Sequence, residues 1–151
     1  MTSSSTGPTP RIIDCDADPH IPQSWTIEEH QKGGQIDLTS LKIRLFLTHA
    51  QQKGERIFGS DIRRLLRRRK VLNACVLDHY LAHKDDIPEE LEREVDAHDG
   101  LTIFFWGTIY HGFDKQCYVR CLLKRAGEWV EDFRWVDFWW DATLPAAIEE
   151  D

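Results

Sequence analysis

Apolar and polar positions alternate along this chain with two different periods, and the change falls near Gly100. Before it, the spacing is helical. Asp37 is a good N-cap, and Leu38, Leu41, Leu45, Ile43, Phe46 and Leu47 form a wide stripe to about Gln52, which predicts a core helix. Gly54 ends it, and Ser60 with Asp61 opens a second helix whose Ile62, Leu65 and Leu66 face inward and whose Arg63, Arg64, Arg67 and Arg68 face outward. A third helix runs from its N-cap Asn73 to about His83, with Leu72 and Leu77 spaced as a hydrophobic staple. Pro88 at a first helical position, followed by Glu89 and Glu90, starts a fourth that fades by Gly100.

Beyond Gly100 the segments LTIFFWGTIY, CYVRCLL and EWVEDFRWVDFW are rich in β-branched and aromatic residues. Gly-containing loops separate them, which predicts a three-stranded antiparallel meander. The expected fold is therefore α+β: three or four helices from 37 to 96 packed on one face of a C-terminal meander. Residues 1–24 carry little apolar content beyond Ile12, Ile13 and Ile21, which predicts a flexible arm. A single domain is expected over 25–147, with an acidic tail at 148–151.

Composition narrows the class. The chain has 151 residues, 41% hydrophobic and 30% charged, enough to bury one core without a metal or disulfide staple. No apolar run approaches the ~20 residues of a membrane-spanning helix, and the N-terminus lacks the pattern of a secretory signal, so a cytoplasmic protein is expected. Cys15, Cys75, Cys117 and Cys121 form no CxxC pair. On one strand Cys117 and Cys121 would lie about 13 Å apart, too far to bridge. Free thiols are expected.

The net charge of −7 is unevenly placed: residues 53–70 carry eight Lys/Arg against Glu55 and Asp61, and residues 85–99 carry eight acids against Arg93. The two stretches are expected either to pair with each other or to face solvent, unless the basic one binds a polyanion.

The strings EEHQKGG (28–34), VLNACVLDHYLAH (71–83), IPEE (87–90) and FFWGTIY (104–110), with the Tyr-Val-Arg strand and the Trp-rich ending, resemble short bacterial proteins of about this length. The resemblance spans roughly residues 25–147 and implies a single domain; it brings no activity, cofactor, partner or site residue.

Chemical motifs are sparse. His79 and His83 have the i, i+4 spacing of a shared metal, but Tyr80 stands where a zincin needs Glu, and no metal or cofactor is assigned. Gly33–Gly34 and Gly54–Gly59 do not form phosphate loops. Glu28, Glu29, His30, His111 and Asp114 are acid–base candidates of ordinary type, and no catalytic residue is named.

Two surfaces remain. The arginine helix followed by the helix from Asn73 and a hairpin fits a winged-helix nucleic-acid binder through Arg63, Arg64, Arg67 and Arg68. The aromatic sheet is the preferred candidate. Strand alternation groups Phe104, Trp106 and Tyr110 on one face and Ile103, Phe105 and Ile109 on the other. A helical layer on one face leaves Trp106, Tyr110, Trp129 and Trp135 as a partner-binding or self-association surface. The expected function is a non-catalytic cytoplasmic binding or adaptor protein using that sheet. A small nucleic-acid binder is the alternative, and an enzyme of unrecognised type the third.

Overall fold

Strand pairing claims more of the chain than the helical spacing of its first half predicts. The structure, a computed structural model, describes residues 11–150. Its strands are β1 (Ile12–Asp14), β2 (Thr26–His30), β3 (Gln35–Asp37), β4 (Ile43–Phe46), β5 (Ile57–Phe58), β6 (Ile103–Phe104), β7 (Thr108–His111), β8 (Cys117–Arg125), β9 (Glu128–Trp135), β10 (Trp139–Trp140) and β11 (Ala146–Glu149). The helices are α1 (His49–Gln52), α2 (Gly59–Leu66), α3 (Ala74–Ala82) and α4 (Glu89–Ala97). Seven strands form one curled mixed sheet in the order β2-β7-β8-β6-β11-β4, with β9 on the free side of β8. The strand pairs β1–β3 and β5–β10 stand apart from it.

This architecture corrects the expected helices on a three-stranded meander. The meander exists, since β7 pairs β8 and β8 pairs β9 in antiparallel register from Tyr118↔Trp135 to Arg125↔Glu128. However, β2 joins it at β7, and β11 joins β6 in parallel and carries β4 beyond it. The helix expected from Asp37 to Gln52 is instead β3, a turn, β4 and the short α1. Asp37 does accept the backbone N–H of Thr39, at 3.0 Å, as an N-cap would. It also takes the Thr39 hydroxyl, and its carbonyl accepts from Ser40 and Leu41, so the chain closes a turn there and then extends. Ile43, Leu45 and Phe46 become strand residues opposite Glu149, Ala147 and Ala146.

Helices cover both faces of the sheet. On one, Val76, Leu77 and Tyr80 of α3 with Leu91 and Val95 of α4 pack on Ile103, Phe105, Leu122 and Trp129. On the other, Ile62 and Leu66 of α2 with Trp140 of β10 pack on Phe104, Trp106, Ile109, Val119 and Cys121. Burying each such large side chain stabilises the fold by roughly 1.5–3 kcal/mol, which commits both aromatic faces to the interior. Leu65, expected to face inward, is 52% exposed.

Alternation is also broken within 103–111. Between β6 and β7 the chain turns at Gly107, whose N–H donates to the Leu72 carbonyl and whose own carbonyl accepts from Gln31. A Cβ on Gly107 would lie 2.7 Å from the Asn73 Cα, so only glycine allows this crossing. The turn shifts the parity: Ile109 joins Phe104 and Trp106, while Tyr110 packs on the opposite side with Ala74 and Tyr118.

Both ends carry structure where composition suggested an arm and a tail. Residues 1–10 of the expected arm lie outside the described residues. Within 11–24, β1 pairs β3, Cys15 is fully buried, and the backbone of His20 bonds the Asp78 carboxylate at 2.7 Å and the Tyr110 hydroxyl at 2.8 Å. At the other end, Ile148 is buried in β11, and Asp151 lies outside the described residues.

Candidate functional site: an aromatic strip and a basic helix

β9 places Trp129, Glu131, Phe133 and Trp135 on one face by its two-residue period. Only part of that face is open. Trp129 is buried in the core that α4 covers, whereas Phe133 is 52% and Trp135 43% exposed. The turn after β9 adds Phe138 at 41%, and β10 adds Trp139 at 46%. Trp25, Tyr118, Phe133, Trp135 and Phe138 touch along the surface, and Trp139 packs apart from them against Phe58 and Arg56. Trp25 stacks on Tyr118 at 4.6 Å, Phe133 meets both edge-on, Trp135 stacks on Phe138 at 5.8 Å, and Trp139 meets Phe58 at 5.4 Å. Tyr118, Phe133, Arg134, Trp135 and Phe138 line a shallow depression of about 260 Å³.

Charge around the strip is mixed, with Arg56 over Trp139 at 5.4 Å on the basic side. The Arg134 guanidinium lies over Phe138 and Trp140, at 4.8 and 5.5 Å, and donates to the Trp139 carbonyl, but it has no carboxylate partner among the described residues and its Nε is buried without an acceptor. Asp137 is exposed and has no ion pair among the described residues. Tyr118 donates to the Asp114 carboxylate, and that hydrogen bond holds Asp114 below the usual Asp range.

The expected surface therefore needs correction. Trp106 (4% exposed), Tyr110 and Trp129 are interior residues, and of the four proposed contact residues only Trp135 is at the surface. The physical reason differs by residue: α2 and β10 cover Trp106, the α3–α4 core covers Trp129, and Ala74 of α3 with Trp25 and Tyr118 covers Tyr110. Phe133, Phe138 and Trp139 were missed. The period of β9 and the apolar run 138–140 point to them once Trp129 is known to be covered.

Behind the strip lies a buried ionic cluster. Arg120 on β8 is 2% exposed and bonds Asp78 of α3 at 2.9 Å, Glu131 of β9 at 3.1 Å through Nε, and the Tyr110 hydroxyl at 3.2 Å. Burial works against its charge, but the Glu131 hydrogen bond and the Asp78 charge outweigh that and hold the guanidinium protonated more firmly than usual. Through Asp78 and Tyr110 the cluster grips His20, so it fixes the 11–24 segment to the sheet.

The basic helix stands elsewhere. Arg63 pairs with Glu29 at 2.9 Å and Arg64 with Asp61 at 3.0 Å, while Arg67 and Arg68 have no carboxylate partner among the described residues. The acidic stretch does not pair with it: Glu92 and Asp96 hold Lys124, and Asp86 holds Arg11 and His79. The winged-helix arrangement is not formed either. α2 and α3 pack against opposite faces of the sheet, and α3, the expected recognition helix, buries Val76, Leu77 and Tyr80.

Three of the five acid–base candidates have structural partners, Glu29 with Arg63, Asp114 with Tyr118, and His30. His30 joins the Thr108 hydroxyl at 2.9 Å to the Cys15 carbonyl at 3.0 Å. His79 and His83 lie ring to ring at 4.6 Å, and no group of three metal-ligating side chains occurs among the described residues. All four cysteines are free. Burial pushes Cys15 up to about 12 and Cys75 up to about 11, and raises Cys117 and Cys121 as well, the opposite of an activated nucleophile. No helix is long and apolar enough to cross a membrane among the described residues. The chain matches no family model, no curated protein and no solved structure.

Proposed function

We propose that this protein is a non-catalytic cytoplasmic binding protein whose contact face is the strip Phe133–Trp135–Phe138–Trp139. The observation that carries the reading is four large aromatics, each between 41 and 52% exposed, of which Phe133, Trp135 and Phe138 line one depression with Tyr118 and Trp139 follows Phe138 in the chain. Aromatic rings are the side chains that anchor protein contacts at low entropic cost. The partner is a protein segment that presents apolar side chains flanked by Lys or Arg. Its apolar groups fit the depression of about 260 Å³, and its charge complements the exposed Asp137, which adjoins Phe138 in the chain. Burial raises all four thiols, which argues against a cysteine nucleophile in this reading.

The test is selection of peptides from a random phage-displayed library on the immobilised protein, followed by calorimetry. Recovered peptides should combine aromatic or aliphatic residues with Lys or Arg. Their affinity should fall at least about tenfold, about 1.4 kcal/mol, for the double variant Trp135→Ser, Phe138→Ser. Peptides that bind the variant as tightly as the parent, or failure to recover any, would overturn the proposal.

A further inference from the structure

An open sheet ends in strands with one unpaired edge, and among the described residues β2, β4 and β9 have such an edge in the seven-stranded sheet. β2 is bulged between Ile27 and Glu29, and β4 has only four residues. β9 differs from both, because it keeps unbroken register with β8 for eight residues, from Glu128 to Trp135. Long regular edges are templates for a further strand, which is why folded proteins shorten, bulge or charge them. The ladder shows which backbone groups of β9 are free. The Val136 N–H donates to the Cys117 carbonyl at 2.9 Å, so Cys117 and Val136 form a hydrogen-bonded pair. By the alternation of an antiparallel ladder, Arg134, Asp132 and Val130 also turn their backbone toward β8, whereas Glu131, Phe133 and Trp135 turn theirs outward. Phe133 agrees: its N–H donates to the Asp132 carboxylate at 2.8 Å rather than to a strand.

The order of charges along β9 says which strand fits that edge. When a second β9 is laid antiparallel about a two-fold axis at Phe133, Glu131 falls opposite Trp135 at the hydrogen-bonded positions, and Asp132 falls opposite Arg134 between them. Asp132 and Arg134 then form a non-hydrogen-bonded pair, the kind in which side chains stand closest, and the symmetry makes that pair twice. An axis at Glu131, Asp132 or Arg134 would instead set two like charges against each other. Both partners can take part. Arg134 has no carboxylate partner among the described residues, and Asp132 can release the Phe133 N–H while its other oxygen stays on Arg125. We infer that β9 is a self-association edge: a second copy of this chain adds its own β9 antiparallel across Phe133, so that Asp132 of each copy faces Arg134 of the other. The inference goes beyond the contact face proposed above, since it rests on the backbone edge and two charges and not on the depression between the rings. A pairing of this length buries less than the roughly 1,200 Å² of a standard interface, so the dimer is reversible.

Sedimentation velocity of the full chain from about 1 to about 500 µM should show a monomer passing reversibly into a dimer. Over the same range, hydrogen exchange at the Phe133 and Trp135 N–H groups should slow as concentration rises. Asp132→Arg and Arg134→Glu each oppose like charges across the axis, and each should raise the dissociation constant at least about tenfold. Mixed one to one, the two variants restore both opposite-charge pairs, and a heterodimer of about the parental affinity should form. That recovery is specific to this register. Circular dichroism checks that each variant is folded; if Arg134→Glu is not, the exchange of the parent chain and the loss of dimer in Asp132→Arg, a change at a partly exposed position, decide the matter. A chain that stays monomeric to about 500 µM, a dimer in which the Phe133 N–H exchanges no more slowly than in the monomer, or folded variants that do not associate on mixing would overturn the inference, and peptide capture by the strip would stand or fall separately on its own variants.

Discussion

Arg120→Met is the change that most severely tests the packing behind the aromatic strip. The guanidinium is 2% exposed and bonds three groups on three elements, Asp78 on α3, Glu131 on β9 and Tyr110 on β7. Removing one partner of a fully buried ion pair costs about 3–5 kcal/mol, because a charge is left without compensation. Here the stranded carboxylates are not fully buried: the Asp78 side chain is 27% exposed and that of Glu131 46%. Solvent takes up part of the penalty, and Tyr110 keeps its bond to the His20 carbonyl. The expected loss is then about 2–3 kcal/mol, a midpoint drop of roughly 5–10 °C for a domain of this size. Urea unfolding at neutral pH measures it. Adding Asp78→Asn to Arg120→Met should return about 1 kcal/mol by removing the stranded charge, a coupling that distinguishes an ionic cluster from lost volume. A loss below about 0.5 kcal/mol, or a double variant no more stable than the single one, would refute a buried, mutually dependent cluster.

Three further outcomes are expected. Trp106→Ser should cost about 3–5 kcal/mol, because it empties a site packed against Trp140 and Ile109, whereas Trp135→Ser should cost under about 1 kcal/mol; urea midpoints of the two variants decide it. The Asp114 carboxyl is lowered in the fold chiefly by the Tyr118 hydrogen bond, so its contribution is complete above about pH 4 and is lost as pH falls through the folded value; Tyr118→Phe should flatten that part of the acid-unfolding profile. Alkylation of the native protein near neutral pH should be slow at all four thiols, and slower at the buried Cys15 and Cys121 than at Cys75 and Cys117, as mapped by mass spectrometry; rapid labelling of Cys15 would contradict its burial.

Local signals were legible where the chain supplies its own partners. Asn73 caps α3 by accepting the Cys75 N–H at 3.0 Å, Glu89 and Glu90 sit in the first turn of α4, and the β8–β9 hairpin turns at Ala126 and Gly127, both with positive φ. The misread stretches depend on distant partners. Residues 43–46 show apolar spacing compatible with either period, and β11, about 100 residues away in sequence, decides for strand. Ile13 and Cys15 read as members of a polar arm, yet they pack on the α3 core because Gly34 and the β1–β3 pairing bring them there. The site followed the same rule. That β9 carries aromatics on one face was readable, but which end of that face stays open depends on α4, and the burial of Trp106 depends on α2 and β10.

The central claim is that the strip on β9 and the following turn is the contact face. The most direct measurement is the ¹⁵N indole spectrum of the six tryptophans during titration with a peptide recovered by library selection. The account predicts that the resonances of Trp135 and Trp139 shift and saturate together, while those of the buried Trp106, Trp129 and Trp140 stay in place. Shifts confined to the buried set, or a saturating titration in which Trp135 and Trp139 do not move, would contradict it.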